Sequence, residues 1–200
     1  MTIRPNLVHM SGKGGICAVE EKYNVFIQEN IVVPIAKNER EHKIYKLLRE
    51  HCNLIFCTEE KNEDFEFVCL DHFFVYAIDE FGNCYGSIGN MTDINNDSIP
   101  IGMVTSDGRC AKVASSIREF LSLVTFYPYW LDIIELERSK QKYSISELEN
   151  KYKNQIILEQ QNEIADILNL EKMKHAIDNL KKHLNEEFIV YGKPYKNILE

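Results

Sequence analysis

Between Phe73 and Ile134 the spacing of apolar and polar positions changes in a fixed order, and each spacing predicts one element. Phe73-Phe74-Val75-Tyr76-Ala77-Ile78 is an unbroken aromatic and β-branched run, the composition of a buried strand. Glu80-Phe81-Gly82-Asn83 interrupts it, and Gly82 can supply the positive φ of a short hairpin loop with a bulge. Cys84 to Ile88 is the returning strand. Ile99 to Val104 and Cys110 to Ala114 repeat the arrangement around a Thr105-Ser106-Asp107-Gly108 turn. Pro100 falls near a strand start, where a missing donor is tolerated. The pattern predicts an antiparallel meander with strands near 73–79, 84–89, 99–104 and 109–114.

A helix is predicted next, near 117–126. Ser116-Ile117-Arg118-Glu119 has the form of a capping box, the Ser116 hydroxyl accepting the Glu119 amide while the Glu119 carboxylate reaches back. Ile117, Phe120, Leu121 and Val124 make one apolar stripe, and Pro128 ends the helix. Tyr129, Trp130, Ile133 and Ile134 add bulky cover. The expected core includes Tyr76, Ile101, Val113, Phe120, Val124 and Trp130.

The flanks read less sharply. Met1 to Cys17 is polar and glycine-containing, which predicts irregular chain. Val19, Tyr23, Phe26 and Ile27 predict a helix from Val19 to Gln28. Ile31 to Ile35 suits a short strand or an extended connector, and Asn38 and Glu41 can cap a helix burying Ile44, Leu47 and Leu48. Leu54 to Cys57 and Phe65 to Leu70 read as strands joined by an acidic loop, Glu59 to Asp64.

The C-terminal third is charged and helical. Ser144-Ile145-Ser146-Glu147 is a second capping-box pattern. It predicts a helix of about two dozen residues reaching Leu168, burying Leu148, Tyr152, Ile156, Ile164 and Ile167. Met173, Ala176, Ile177, Leu180 and Leu184 form a second stripe, and Phe188 to Gly192 closes as a strand. The fold class expected is α+β: a central, mostly antiparallel sheet of about four to six strands with flanking N- and C-terminal helices. Residues 1–200 are read as a single domain, with 144–186 a helical C-terminal extension packed on it. The alternative use of those helices is a homo-oligomer surface.

Composition narrows the setting. A chain of 200 residues with 44% hydrophobic and 27% charged residues can bury a substantial core and has the balance of a globular domain. Apolar runs such as Ile31 to Ala36 are too short to span a membrane, and Met1 to Gly15 lacks the apolar centre of a signal peptide, so the expected location is cytoplasmic. Six cysteines scattered singly are then expected to be reduced core residues. The charge is uneven. Residues 59–98 hold ten acids and one base, Lys61, in a chain whose net charge is −8. That patch disfavours nucleic acid and favours a basic partner; a solvated acidic rim is the plainer reading.

Candidate chemistry is thin. Ser11-Gly12-Lys13-Gly14-Gly15 starts like a phosphate loop, but no Lys-Ser/Thr pair closes it and no predicted strand precedes it. His42, His51, Cys52 and Cys57 lack the C-x₂-C element of the usual zinc sites. Asp93-Ile94-Asn95-Asn96-Asp97 has the composition of a calcium loop without its central glycine. Gly86-Ser87-Ile88-Gly89 lacks the spacing of a nucleophile elbow. Asp71 and His72 are adjacent, and neighbouring strand residues face opposite sides. No cofactor and no metal are expected.

The runs Tyr76-Ala77-Ile78-Asp79, Gly82-Asn83-Cys84-Tyr85-Gly86, Ile99-Pro100-Ile101-Gly102, Asp107-Gly108, Glu119-Phe120-Leu121 and Tyr127-Pro128-Tyr129-Trp130 resemble the SUKH superfamily. That superfamily includes the yeast cell-wall-synthesis regulator domain and many bacterial proteins. The resemblance covers about a third of the chain. Where many members carry an asparagine-glycine pair, this chain has Asn53-Leu54. The resemblance implies an α+β fold and, for most bacterial members, immunity against a polymorphic toxin. The function expected on this basis is binding without catalysis: a bacterial immunity protein that neutralises a cognate basic toxin domain, such as a nuclease, through an acidic surface. Glu63, Asp64, Asp71, Asp79, Glu80, Asp93 and Asp97 would supply the charge, and Phe81 and Tyr85, near the hairpin tip, the aromatic anchors. Neither nucleic acid nor membrane is an expected partner. A regulatory scaffold of cell-wall or polysaccharide synthesis is the alternative, and a hydrolase using Asp71, His72 or Cys84 is a third.

Overall fold

A computed structural model describes residues 8–11, 16–18, 30–58, 67–69, 71–89 and 98–192. In chain order the elements are β1 (Val8–Ser11), β2 (Ile16–Ala18), β3 (Ile31–Val32), α1 (Lys43–Cys52), β4 (Ile55–Phe56), β5 (Phe67–Cys69), β6 (Phe73–Ile78), β7 (Cys84–Ile88), β8 (Ile101–Val104) and β9 (Cys110–Ala114). They continue with α2 (Ile117–Phe126), α3 (Trp130–Arg138), α4 (Ile145–Tyr152), α5 (Leu158–Leu168), α6 (Ala176–His183) and β10 (Ile189–Gly192). The expected α+β class is what is found.

The meander β6-β7-β8-β9 forms as predicted, each strand antiparallel to the next. It lies in a six-stranded sheet in which β6 also pairs with β3, in parallel, and with β4. Both faces of this sheet are covered, which explains why β6 reads as one continuous apolar run. Phe74, Tyr76, Tyr85, Ile101, Met103 and Val113 join the larger core, with Phe120, Leu123, Val124, Trp130, Ile133 and Ile134 from α2 and α3. Phe73, Val75, Cys84, Val104 and Cys110 belong to a smaller core with Phe67 and Cys69 of β5 and Phe188 and Val190 near the chain's end. All six residues expected in the core are buried. A bulge between Val75 and Ala77 shifts the β6–β7 register, and Gly86 sits against it. A Cβ on Gly86 would lie 2.1 Å from the Phe74 carbonyl oxygen, so only glycine allows this approach.

The smaller core reveals a second sheet, ordered β2-β1-β10-β5. Met1 to Cys17 was expected to be irregular, yet β1 and β2 pair antiparallel within and beside it. Three- and four-residue strands carry too little period-two pattern to be read, and β10 pairs with β1 and β5 far away in sequence. The helix expected at Val19–Gln28 and the Glu59–Asp64 loop lie outside the described residues.

Helix ends differ from expectation in three places. The N-cap of α1 is His42, with no side-chain cap, because successive turns closed by Glu39 N–H to Ala36 O and His42 N–H to Glu39 O take up Asn38 and Glu41 first. Ser116 does accept the Glu119 amide at 3.2 Å, but the Glu119 carboxylate reaches the Ser115 N–H at 2.6 Å and not that of Ser116. Ser144 makes no side-chain cap.

The long helix predicted to Leu168 is instead two, α4 and α5. Leu148 and Ile164 are both buried in the larger core, yet on one straight helix they would lie about 160° apart at ~100° per residue. Breaking the helix resets the phase so that both face inward. Ile167 then falls outside the buried stripe and is 49% exposed. Met173 precedes α6 and does not sit in it. Leu148, Ile164, Ala176 and Leu180 place α4, α5 and α6 on the same core as the sheet. Among the described residues no helix is long and apolar enough to cross a membrane.

Candidate functional site

The turn between β6 and β7 is organised by one carboxylate. Asp79 follows the strand Phe73–Ile78, buried as far as Ala77, and is itself only 3% exposed. Among the described residues its Oδ1 accepts the Phe81 N–H and the Asn83 N–H, each at 2.9 Å. Its Oδ2 accepts Asn83 Nδ2 and the Tyr85 hydroxyl, each at 2.7 Å. A buried charge so supplied with donors is satisfied where it sits. Gly82 takes φ 79°, the left-handed conformation the turn requires. The loop is thereby closed from inside through backbone donors such as the Phe81 N–H, and the Phe81 side chain takes no part in that closure. Phe81 is 63% exposed.

Neighbours brace the tip. Asn53 ends α1 in the left-handed region, φ 52°, and its Nδ2 donates to Glu80 Oε1 at 3.1 Å. The Ser106 N–H donates to Asn83 Oδ1 at 3.2 Å and ties the tip to the β8–β9 turn. That second turn carries Thr105 bonded to Asp107, and Arg109 in ion pairs with Asp107 at 2.8 Å and Glu135 at 2.9 Å. Burial would raise the Asp107 carboxyl, but the Thr105 hydroxyl and the Arg109 guanidinium outweigh it and hold it below its ordinary value.

The structure separates the residues that sequence placed in one acidic surface. Glu80 and Phe81 are exposed at one end of the six-stranded sheet. Asp71, also exposed, lies at the other end of β6, a strand of six residues that spans about 20 Å at ~3.3 Å per residue. Asp79 and Tyr85 are corrections. Neither is a rim residue: both are 3% exposed, and Tyr85 packs between Phe120 and Trp130, with ring centroids 5.5 and 5.9 Å away. Burial, and then the adjacent Asp79 carboxylate, push the Tyr85 hydroxyl far above its ordinary pKa. A hairpin strand beside the core alternates inward, and two positions past the loop Tyr85 faces in. Glu63, Asp64, Asp93 and Asp97 lie outside the described residues.

The hydrolase set is not brought together either. Asp71 and His72 stand just before β6, while Cys84 pairs with Ile78 at the strand's far end. Among the described residues no group of three or more His, Cys, Asp or Glu could hold a metal ion. Cys52, Cys57, Cys69, Cys84 and Cys110 form no disulfide, and burial pushes the Cys52 thiol up to about 12.

Sequence reasoning missed Asn53, Asn83 and Ser106. One signal was available: an aspartate directly after a buried strand, three residues before a glycine, is the pattern of a side chain that closes its own loop. Asn53 and Ser106 reach the tip only through tertiary structure and leave no local pattern. No family model matches the chain, and no curated protein or solved structure matches it.

Proposed function

We propose that the chain is a binding protein that engages a basic protein partner through the rim bearing Phe81 and Glu80, with toxin neutralisation by direct contact as its role. The observation that carries this reading is a phenyl ring 63% exposed on a turn held from within by the buried Asp79. An aromatic side chain on a pre-ordered loop loses little conformational freedom on binding, which suits an anchor. Glu80 beside it adds a charge that steers a basic partner. Blocking a toxin by contact needs no chemistry, only a complementary surface of about 800 Å² per partner.

The reading narrows the acidic surface to the Glu80 end of the sheet, because Asp71 lies on the opposite end. The test is capture of basic protein domains encoded beside this chain, by the wild type and by a Phe81→Ala, Glu80→Lys double variant, at two salt concentrations. The wild type should capture one such domain better at low salt, and the double variant should lose most of that capture. Equal capture by both proteins would move the binding surface away from this rim.

A further inference from the structure

We infer that His183 is a proton-dependent clamp that fastens the segment from α6 to β10 onto the six-stranded sheet. The inference is independent of the rim around Phe81. His183 ends α6 and is buried, with carboxylates on both ring nitrogens. Its Nε2 lies 3.2 Å from Glu119 Oε2 on α2, and its Nδ1 lies 3.1 Å from Glu186 Oε1 in the connection to β10. Each carboxylate is held in turn. Glu119 Oε2 accepts the Ser115 N–H, and Oε1 accepts Asn179 Nδ2 at 2.7 Å. Glu186 pairs with Lys112 of β9. On the α3 side, Glu137 faces Lys181 and Tyr143, not His183. The result is a line of alternating charges, Lys112, Glu186, His183 and Glu119, across β9, the α6–β10 connection, α6 and α2.

The proton count decides what this line can do. A doubly protonated imidazole donates one N–H to each carboxylate; a neutral ring donates to only one and turns a lone pair on the other. Burial would raise the Glu119 carboxyl, but Ser115, Asn179 and His183 outweigh it and hold it below its ordinary value. Lys112 foremost, with His183, outweighs the slight desolvation of the exposed Glu186 and holds its carboxyl low as well. Both acids therefore stay charged through the range in which imidazoles change charge, pH 5 to 8. The clamp makes both contacts while the ring carries two protons and loses one of them when the ring gives up a proton.

What it controls is the second sheet. The connection continues from Glu186 to Phe188, whose carbonyl accepts the Cys110 thiol at 3.0 Å and whose ring packs on Phe73 at 5.4 Å. β10 follows and pairs with both β1 and β5. Loosening the connection should increase opening of β10 before the meander is affected.

The experiment is amide hydrogen exchange of Ile189 and Val190 in the full chain, corrected for intrinsic exchange and compared with Met103 in β8. From pH 5.5 to 8, the opening constant of the β10 amides should rise about tenfold, the equivalent of one charge-assisted hydrogen bond, while that of Met103 stays level. His183→Gln should abolish the rise. Glu186→Gln, at an exposed position that tolerates the change, should reduce it to about threefold. A flat wild-type profile, or a His183→Gln variant that keeps the wild-type slope, overturns the inference. If His183→Gln does not fold, Glu186→Gln decides alone: an unreduced slope there also overturns it.

Discussion

Two turns at the same end of the sheet solve one problem in opposite ways. The β6–β7 and β8–β9 turns both join antiparallel neighbours, and both place a glycine at positive φ, Gly82 at 79° and Gly108 at 82°. In the first, the organising charge, Asp79, is inside and the apolar residue, Phe81, is outside. In the second, the charges are outside: Arg109 pairs with both Asp107 and Glu135 on the surface. A loop whose outer residues hold it together has none to spare for a partner. A loop held from within can present whatever sits at its tip. On the proposed reading, binding belongs to the first turn and closure alone to the second.

The largest expected effect tests the buried charge. Asp79→Ala should cost about 3–5 kcal/mol in urea denaturation, because it strips the acceptor from two backbone amides, the Asn83 side chain and the buried Tyr85 hydroxyl at once. Read from sequence, Asp79 is one acid of an exposed partner surface; its burial reverses that expectation. A loss under ~0.5 kcal/mol would mean that water serves the turn as well as the carboxylate does.

Tyr85→Phe isolates one strand of that network. It leaves the ring between Phe120 and Trp130 and removes only the hydroxyl that donates to Asp79 at 2.7 Å. The expected cost is about 1–2 kcal/mol by the same denaturation. An effect as large as that of Asp79→Ala would assign the network's whole strength to the tyrosine.

How far these roles are visible in sequence differs between the turns for a physical reason. Strand runs, loop glycines and the Ser116 cap are local signals, and β6 to α2 were legible from them. The side on which Asp79 lies is not local: an acid after a strand reads as solvent-facing unless the donors that meet it are known, and Tyr85 comes from the returning strand. The second sheet was hidden because β10 finds its partners, β1 and β5, more than a hundred residues away along the chain. The break between α4 and α5 could have been anticipated, since Leu148 and Ile164 are out of helical phase. The charge census was accurate but one-dimensional; folding sends Asp71 and Glu80 to opposite ends of one strand.

On the second turn, Arg109→Ala should cost under ~1 kcal/mol, since Asp107 is 57% and Glu135 55% exposed on their side chains and such pairs are screened. The sign of its pH dependence follows from Asp107. A carboxyl held below its ordinary value contributes stability that is present above that value and is lost as pH falls through the lowered one. The wild type should therefore lose slightly more stability than Arg109→Ala between pH 5 and pH 3, and 1 M salt should shrink the difference. A cost near that of Asp79→Ala would erase the distinction between the turns.

The smallest effect on stability should come with the largest effect on binding. Phe81→Ala removes a ring that is 63% exposed, from a loop whose closure depends on the Phe81 backbone N–H and not on its side chain. Alanine keeps that N–H, so denaturation should move by less than ~0.5 kcal/mol. Capture of the proposed basic partner should nonetheless fall sharply, through faster dissociation, because an aromatic anchor acts after contact is made. Glu80→Lys should act differently: it should slow association, and the difference from wild type should fade as salt rises. Measuring both rate constants for both variants separates the two roles. If Phe81→Ala destabilises the protein as Asp79→Ala does, the ring is a packing group, and the tip has no residue to spare after all.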